Sequence, residues 1–483
     1  MTLEAILEGV PLAGGLPAQE VEISGICYDT RTLTPGCLFV ALPGYKTDGH
    51  GYIQEALELG AAAVLCQRAP EGEGPWLVTA DARAALARVS ANWFGHPARA
   101  LTVIGVTGTN GKTTTTYLMK GVLEEVLGAR VGLIGTNQNM IGARALPAHR
   151  TTPESWEVQK LLREMADAGC THVVMEVSSH ALALHRVDGI PFAAGIFTNL
   201  TRDHLDFHKT MEAYRDAKGL LFHQCGLAVL NLDDEAGRWY AQRVECPKFT
   251  YSENKDEADL TAKNIRLFPG HVEFEAVARG AIQRVRLPIP GGFTIYNALG
   301  VVACALALGL EPAPVAAALA GAQGVKGRVE VVPTPHGEYT VIIDYAHSPD
   351  ALENILTTVR DFTAGRVVCL FGCGGDRDRT KRPLMGAVAG TLADFVILTS
   401  DNPRTEEPEA IIDDILEGME RMEGGCAPYV VEPDRRRAIH YALSHAQAGD
   451  VILLAGKGHE TYQEIDGVQR HLDEREEVAA FYR

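Results

Sequence analysis

No Cys-x-x-Cys pair occurs among the ten cysteines of this 483-residue chain; Cys369 and Cys373 are the nearest neighbours. Such scatter excludes a zinc framework and a disulfide scaffold, and it predicts reduced thiols and a cytoplasmic location. No uncharged apolar stretch reaches the roughly 18 residues needed to span a bilayer. The longest, around Asn297 to Leu310, is closed by Glu311 and two prolines, so no membrane partner is expected. The start, Met1-Thr2-Leu3-Glu4-Ala5-Ile6-Leu7-Glu8, has no basic run and carries two acids, unlike a signal peptide. Positive charge is also in deficit, with 44 Lys and Arg against 62 Asp and Glu, a net charge of −18. An acidic chain repels a phosphate backbone, so no nucleic-acid partner is expected. Any anionic substrate must be met by local cationic loops. Solenoid repeats and low-complexity tracts are absent too.

What is present is the balance of a folded globular protein, 46% hydrophobic and 22% charged. At roughly 150 residues per domain the length suggests about three domains, each with its own core. The first hundred residues mix short apolar runs with Gly and Pro turns. A helix is expected from Tyr52 to Leu59 and a strand at GAAAVL. A buried strand, LTVIGVTG, opens the next region. From Leu101 to about Gly324, strands (VGLIG, THVVMEV, AGIFTNL) alternate with helices such as TPESWEVQKLLREMADAG, the pattern of a parallel sheet covered on both faces. A hairpin-like stretch with Gly at its hinge follows near Lys326. A second alternating series then runs through TVIID, VVCLF, FVILTS, YVV and VILLAG, with helices between them. The reading is an α/β protein of three domains. Residues 1–99 form a small N-terminal α/β domain, 100–326 a central parallel sheet with a phosphate loop, and 327–483 a Rossmann-like doubly wound sheet.

The strongest motif is VIGVTGTNGKTTTTYLMKGVLEE, a strand, a Gly-containing loop and a helix. Gly108 and Gly111 let the backbone curl so that its N–H groups point at one anion, with the helix N-terminus behind them. Gly108, Thr109, Asn110, Gly111, Lys112, Thr113 and Thr114 are therefore read as an ATP site. Lys112 would lie between the outer phosphates, and the Thr113 hydroxyl would take Mg²⁺. Val106 stands where the generic loop pattern has its first Gly. Glu176 ends the strand THVVMEV, where a second carboxylate ligand would face the phosphates; the plain alternative is a helix-capping carboxylate.

His204 and His208 have the i, i+4 spacing of zinc proteases, but no Glu follows His204, which argues against a protease. Lys218, on its residues alone, reads as a solvated surface lysine. Further on, GCGGDRD, DNPR and KGHE follow three strand ends and would gather over one crevice. Gly372 and Gly374 do not complete a dinucleotide fingerprint, since Arg377 holds its third glycine position.

TGTNGKTT, HRTTPES, MEVSSHALALHR, TNLTRDHLDFH, AYRDAK, DYAHSPDAL, GCGGDRDRTKRP, DNPR and GKGHE, in this order, resemble the Mur ligase family over nearly the whole chain. The resemblance implies an ATP-dependent amide ligase that makes an acyl phosphate on a cell-wall precursor, with ATP and Mg²⁺ as cofactors and a monomeric, cytoplasmic protein. It implies catalytic roles for Lys112, Glu176, His204 and Lys218. His204 and Lys218 join Thr113 and Glu176 in holding metal, and Lys218 is carbamylated to N6-carboxylysine. Asn297, Asp344 and His347 match nucleotide contacts, which implies ATP between domains and closure around it.

The partners so implied are a UDP-N-acetylmuramoyl dipeptide and meso-diaminopimelate. Thr30, Tyr45, Lys46 and Thr47 match the uridine pocket. Thr151 and Thr152, after the basic pair His149 and Arg150, offer hydroxyls before a helix that Pro153 would open, read either as an anion grip or as a plain N-cap. Ser178 and Arg186 match substrate contacts, with Leu184 where relatives often carry Gln. Arg377, Asp401, Asn402, Pro403, Arg404, Gly456 and Glu460 match an amino-acid crevice. There Arg404 would hold a distal carboxylate bidentately, and Asp401, Asn402 and Glu460 would meet an ammonium. DNPR implies diaminopimelate rather than lysine. A lysine-adding member, a folylpolyglutamate synthase-like ligase and a non-catalytic P-loop switch are the alternatives.

Overall fold

The computed structural model describes every residue except Pro17, Ala18, Tyr45, Lys46, His149, Arg279, His336 and Glu423, and Asp206 by its backbone alone. Cα proximity divides the chain into two compact units, Met1–Asp259 with Gly300–Leu310, and Leu260–Leu299 with Glu311–Arg483. Among the described residues no helix is long and apolar enough to cross a membrane.

The first unit opens with a parallel sheet of four short strands, β1 (Ile26–Cys27), β2 (Leu38–Val40), β3 (Ala63–Cys66) and β4 (Trp76–Val78), in sequential order. The expected helix here is Ile53–Glu58, led in by a 3₁₀ turn, Gly49–Tyr52. A larger sheet follows: β5 (Thr102–Thr107), β6 (Val131–Ile134), β7 (Asn139–Ile141), β8 (Arg144–Leu146), β9 (His172–Glu176), β10 (Phe192–Phe197), β11 (Ala228–Asn231) and β12 (Lys248–Ser252). Its order within this unit is β12-β11-β10-β5-β9-β6-β7-β8. The six strands from β12 to β6 are parallel, and β7 and β8 add an antiparallel edge.

Five of the six β5 residues are buried, the near-continuous apolar run of a strand covered on both faces. Registers of Val106 with Glu176 and of Phe197 with Thr107 align the carboxyl ends of β5, β9 and β10. Chain order reverses beside β5, so the loops leaving these three strands open onto one crevice.

In the second unit β13 (Leu260–Phe268), β14 (His271–Ala278) and β15 (Ala281–Leu287) form an antiparallel meander. No helix separates them, unlike the alternation expected up to Gly324. Buried and less buried residues alternate along β14, which is the pattern of a one-sided sheet rather than a parallel core strand.

The second unit's main sheet contains β16 (Glu330–Val332), β17 (Thr340–Asp344), β18 (Val367–Phe371), β19 (Phe395–Leu398), β20 (Tyr429–Val431) and β21 (Val451–Ala455), in the order β16-β17-β21-β18-β19-β20. The expected hairpin is the antiparallel pair β16–β17; the other pairings are parallel. Helices Pro349–Arg360, Lys381–Leu392, Pro408–Glu420 and Arg435–Ser444 alternate with the strands, as the sequence series predicts. A separate hairpin, β22 (Tyr462–Ile465) and β23 (Val468–His471), follows β21.

Candidate functional site

The loop after β5 is built for an anion. Gly108 has φ +152°, and a Cβ there would stand 1.8 Å from Thr198 Oγ1, so only glycine fits. Gly111, at φ +83°, precedes the helix Lys112–Leu127, whose N-terminus is the end that favours an anion. The loop is held from β10. Asn199 accepts from Thr109 N at 2.8 Å through its carbonyl and from Asn110 N at 2.9 Å through its side chain. The Thr198 hydroxyl donates to Asn110 O at 2.6 Å. Thr113 and Thr114 are buried in the first helical turn.

Lys112 Nζ donates to the carbonyls of Gly108 at 3.0 Å and Thr109 at 2.9 Å. Lys218, from the helix Met211–Gly219, donates to the same Gly108 carbonyl at 2.8 Å. It is 1% exposed, which overturns the solvated reading. Burial, and then the nearby Lys112 ammonium, push its pKa well below the usual lysine range.

Glu176, at the end of β9, is buried, and its carboxylate accepts from Thr136 N at 2.8 Å and Thr136 Oγ1 at 3.0 Å. Those bonds hold a carboxylate beside the loop rather than capping its own helix. His204 has φ +53°, and its Nε2 lies 3.4 Å from Asp203 Oδ2. Its ring meets those of His180 and Tyr214, with centroids 4.8 Å and 5.9 Å away. His208 hydrogen-bonds Ser179 Oγ at 2.9 Å and stacks on Tyr214, so it serves packing. No group of three or more His, Cys, Asp or Glu side chains forms a metal cluster among the described residues. The donors Thr113 and Glu176 are oxygens, which suit Mg²⁺, an ion that keeps several waters and phosphate oxygens in its shell.

A second feature of the first unit is a cavity of about 540 Å³ lined in part by Thr30, Thr47, Arg83, Arg150 and Glu154. Tyr45, Lys46 and His149 lie outside the described residues. Sequence reasoning did not single out Glu154, a buried carboxylate that gathers three guanidiniums. Arg150 and Arg186 each stand 2.8 Å from its Oε1, and Arg83 stands 3.4 Å from Oε2. That cluster has a positive excess of its own, while the cavity lining as a whole is balanced, with Arg31, Arg83 and Arg150 against Asp29, Glu55 and Glu154.

Beside Thr151 and Thr152 the helix start corrects the sequence reading. The helix begins at Ser155, not Pro153, and Glu154 at its N-cap makes no capping bond. Thr152 is buried; its hydroxyl donates to Glu176 O at 2.8 Å and accepts from Ser178 N at 3.1 Å, so it braces the β9 loop. Thr151 Oγ1 lies 3.0 Å from Thr136 Oγ1, within hydrogen-bond reach. Ser178 caps the helix Ser179–Ala183, with Leu184 at its far end, and Arg186 donates to Thr152 O at 3.1 Å.

In the second unit the loops after β18, β19 and β21 converge, because Phe371 pairs with Leu398 and Leu370 with Leu454. A Cβ at Gly375 would stand 1.9 Å from Pro403 O, so GCGGDRD can lie on DNPR only with glycine there. Arg404 has φ +54° and is locked by the β22 backbone: its N–H donates to Glu464 O at 3.0 Å. Its guanidinium pairs through Nε with Glu464 Oε2 at 3.1 Å and donates through Nη1 to Gly375 O at 2.7 Å. The bidentate fork expected for a ligand is thus partly engaged by the protein.

Asn402 is also turned inward. Its Oδ1 accepts from Lys457 Nζ at 3.0 Å and Glu464 N at 2.9 Å, and its Nδ2 donates to Glu460 Oε2 at 2.9 Å. It frames the crevice instead of facing it. Asp401 and Gly456 are buried at the loop junction, Pro403 is buried, Glu460 is half-buried and Arg377 exposed. Asp344 at the end of β17 accepts from Val329 N and Ala346 N, and burial raises its pKa. His347 is exposed and Asn297 buried.

Arg382, fully buried, clamps two of the crevice loops. It donates to Glu406 at 2.8 and 2.9 Å, while Glu406 accepts from Asp376 N at 2.6 Å. That guanidinium holds the Glu406 carboxyl at about 2. A depressed carboxylate stabilises the fold fully above its ordinary pKa of about 4.5 and progressively less as pH falls toward 2. Thermal melts should therefore show the parent losing more of its midpoint than Glu406→Gln over that window; parallel losses would refute the clamp.

Against known proteins, residues 22–98 match the Mur ligase family, catalytic domain, 106–305 the Mur ligase middle domain, and 327–458 the Mur ligase, glutamate ligase domain. A UDP-N-acetylmuramoyl-L-alanyl-D-glutamate–2,6-diaminopimelate ligase of Clostridium botulinum is 45% identical over 99% of both chains. One from Caldanaerobacter subterraneus subsp. tengcongensis is 49% identical over 95% of this chain and 94% of that one. A solved structure of a ligase of that name superposes with a TM-score of 0.72 at 33% identity, covering 100% of this chain and 98% of the other.

Proposed function

The chain belongs to the Mur ligase family, and from that premise we propose that it joins meso-2,6-diaminopimelate to the D-glutamyl γ-carboxylate of UDP-N-acetylmuramoyl-L-alanyl-D-glutamate, using ATP. It is an ATP-dependent acid–amino-acid ligase of peptidoglycan synthesis. Residues 1–99 bind the UDP substrate, 100–326 the ATP, and 327–483 the amino acid. The nucleotide substrates place this work in the cytoplasm.

A carboxylate is a poor electrophile, so the reaction proceeds through an acyl phosphate. The γ-carboxylate oxygen takes the γ-phosphoryl group, ADP leaves, the amine attacks the acyl carbon, and inorganic phosphate departs with loss of an amine proton. Two anions must first be brought together, and cations and N–H dipoles offset their repulsion. Gly108 to Thr114 enclose the triphosphate, with Lys112 at its outer phosphates. Asn297, Asp344 and His347 meet the nucleotide. Mg²⁺ would be held by Thr113, Glu176, His204 and carbamylated Lys218, and when bound supplies charge neutralisation between the two anions. Arg186, Ser178, Thr30, Tyr45, Lys46 and Thr47 orient the UDP substrate. Thr151 and Thr152 add hydroxyls to that grip, and Thr152 also fixes the loop beside Glu176.

One observation carries the choice of amino acid: the converging loops after β18, β19 and β21 bring Arg404 together with Asp401 and Glu460. Arg377, Pro403 and Gly456 complete the crevice wall. A distal carboxylate and a distal ammonium satisfy both charges, and lysine offers only the second. Glu464 and Gly375 O already partner Arg404, so lysine does not leave it bare. Discrimination is accordingly expected at about a hundredfold, below the ceiling for a wholly unpaired site. Incubation with UDP-muramoyl dipeptide, ATP and each amino acid, scored by ADP release and product mass, tests this. Equal kcat/KM for lysine and meso-diaminopimelate would refute it.

A further inference from the structure

The amino-acid crevice already contains an ammonium of its own. Lys457 is fully buried, and its Nζ lies 2.9 Å from Glu460 Oε2, 3.0 Å from Asn402 Oδ1 and 3.9 Å from Asp401 Oδ1. It follows Gly456, whose φ of +110° turns the chain at the end of β21, and a Cβ on Gly456 would stand 2.6 Å from Asp401 Oδ2. The turn thus aims Lys457 inward beneath the carboxylates. The internal ammonium offsets one of the two carboxylates and leaves the group one formal negative charge in excess, which suits a single incoming cation.

The geometry around Asn402 completes this frame. Both polar atoms of the amide are used by Lys457, Glu460 and the Glu464 N–H. Each group therefore has one orientation, with Glu460 Oε1 and the Asp401 carboxylate left for a ligand. Truncating Lys457 removes the cation from a buried, hydrogen-bonded cluster and leaves the carboxylates uncompensated, the costly way to break such a pair.

We propose that Lys457 is a positioning residue for amino-acid recognition: it sets the charge and the orientation of the carboxylates that receive the substrate's ammonium. The inference rests on the diaminopimelate-adding reading and deepens it. Lys457→Met should raise KM for meso-diaminopimelate about thirtyfold. Formation of the acyl phosphate, trapped as a hydroxamate with hydroxylamine in the absence of the amino acid, should continue near the parental rate. An unchanged KM overturns the proposal. So does equal loss of hydroxamate formation, which would mean a general structural role. If the Met variant is insoluble, Lys457→Gln, which keeps a donor but drops the charge, is judged by the same two results. A parent enzyme that ligates no diaminopimelate at all would instead refute the underlying reading of substrate.

Discussion

Lys112→Met lowers ligation by about a thousandfold, the scale expected when a preorganised charge is removed from phosphoryl transfer. The Lys112 ammonium rests on the carbonyls of Gly108 and Thr109. Those carbonyls are neutral, and exchanging them for phosphate oxygens strengthens every bond the ammonium makes. The gain grows as the γ-phosphoryl group moves toward a second anion, so the loss falls mainly on kcat. Methionine keeps most of the stem and its packing. The Thr198 and Asn199 bonds that shape the loop do not involve Lys112, so the thermal midpoint should stay near that of the parent. Steady-state ADP release beside a melt decides the matter, and a folded variant keeping a tenth of parental turnover would sink the role.

The central loop was legible because its information is local. A buried strand, two glycines, a lysine and a helix occupy one continuous stretch, and backbone geometry alone makes it an anion site. The second parallel sheet was legible for a similar reason: each strand and helix shows its own period. The meander β13–β15 was hidden inside a region whose neighbours alternate strand with helix, although β14 carries the period of two.

Side-chain destinations were less visible. Thr152 read as a ligand hydroxyl, and its bonds to Glu176 O and Ser178 N, residues more than twenty positions away, were not visible in the local pattern. Asn402 and Arg404 were placed in the right crevice, but their bonds to Lys457, Glu460 and Glu464 come from a loop and hairpin some sixty residues later. Lys457 could have been noticed as a charged residue directly after a wholly apolar strand. Nothing in the local pattern marks Glu154 as the meeting point of Arg83, Arg150 and Arg186, because that cluster exists only once separate segments are folded together.

Lys218→Ala is expected to lose about a thousandfold in ligation, equivalent to roughly 4 kcal/mol of transition-state stabilisation. The case begins with an electrostatic conflict. Two lysine ammoniums converge on one carbonyl oxygen, that of Gly108, and one of them is 1% exposed. The Lys218 Nζ also lies 4.4 Å from the centroid of the Tyr214 ring, which offers a cation much less than water does. Burial and Lys112 together favour the neutral amine, which is the nucleophilic form.

Reaction of that amine with CO₂ forms an N–C bond, releases one proton to solvent and leaves a carbamate carrying one negative charge. The carbamate would pair attractively with the Lys112 ammonium, so carbamylation would relieve the conflict and would supply an oxygen donor for Mg²⁺ in one step. Native mass spectrometry should find the mass of one CO₂ on the parent and none on Lys218→Ala. Labelled bicarbonate should give a carbamate ¹³C resonance that disappears on acidification. Small carboxylates such as acetate, which can enter the space left by the truncated side chain, should restore part of the variant's turnover. An unmodified parent that turns over fully in CO₂-free buffer would show that the buried ammonium itself, not a carbamate, is what the site requires.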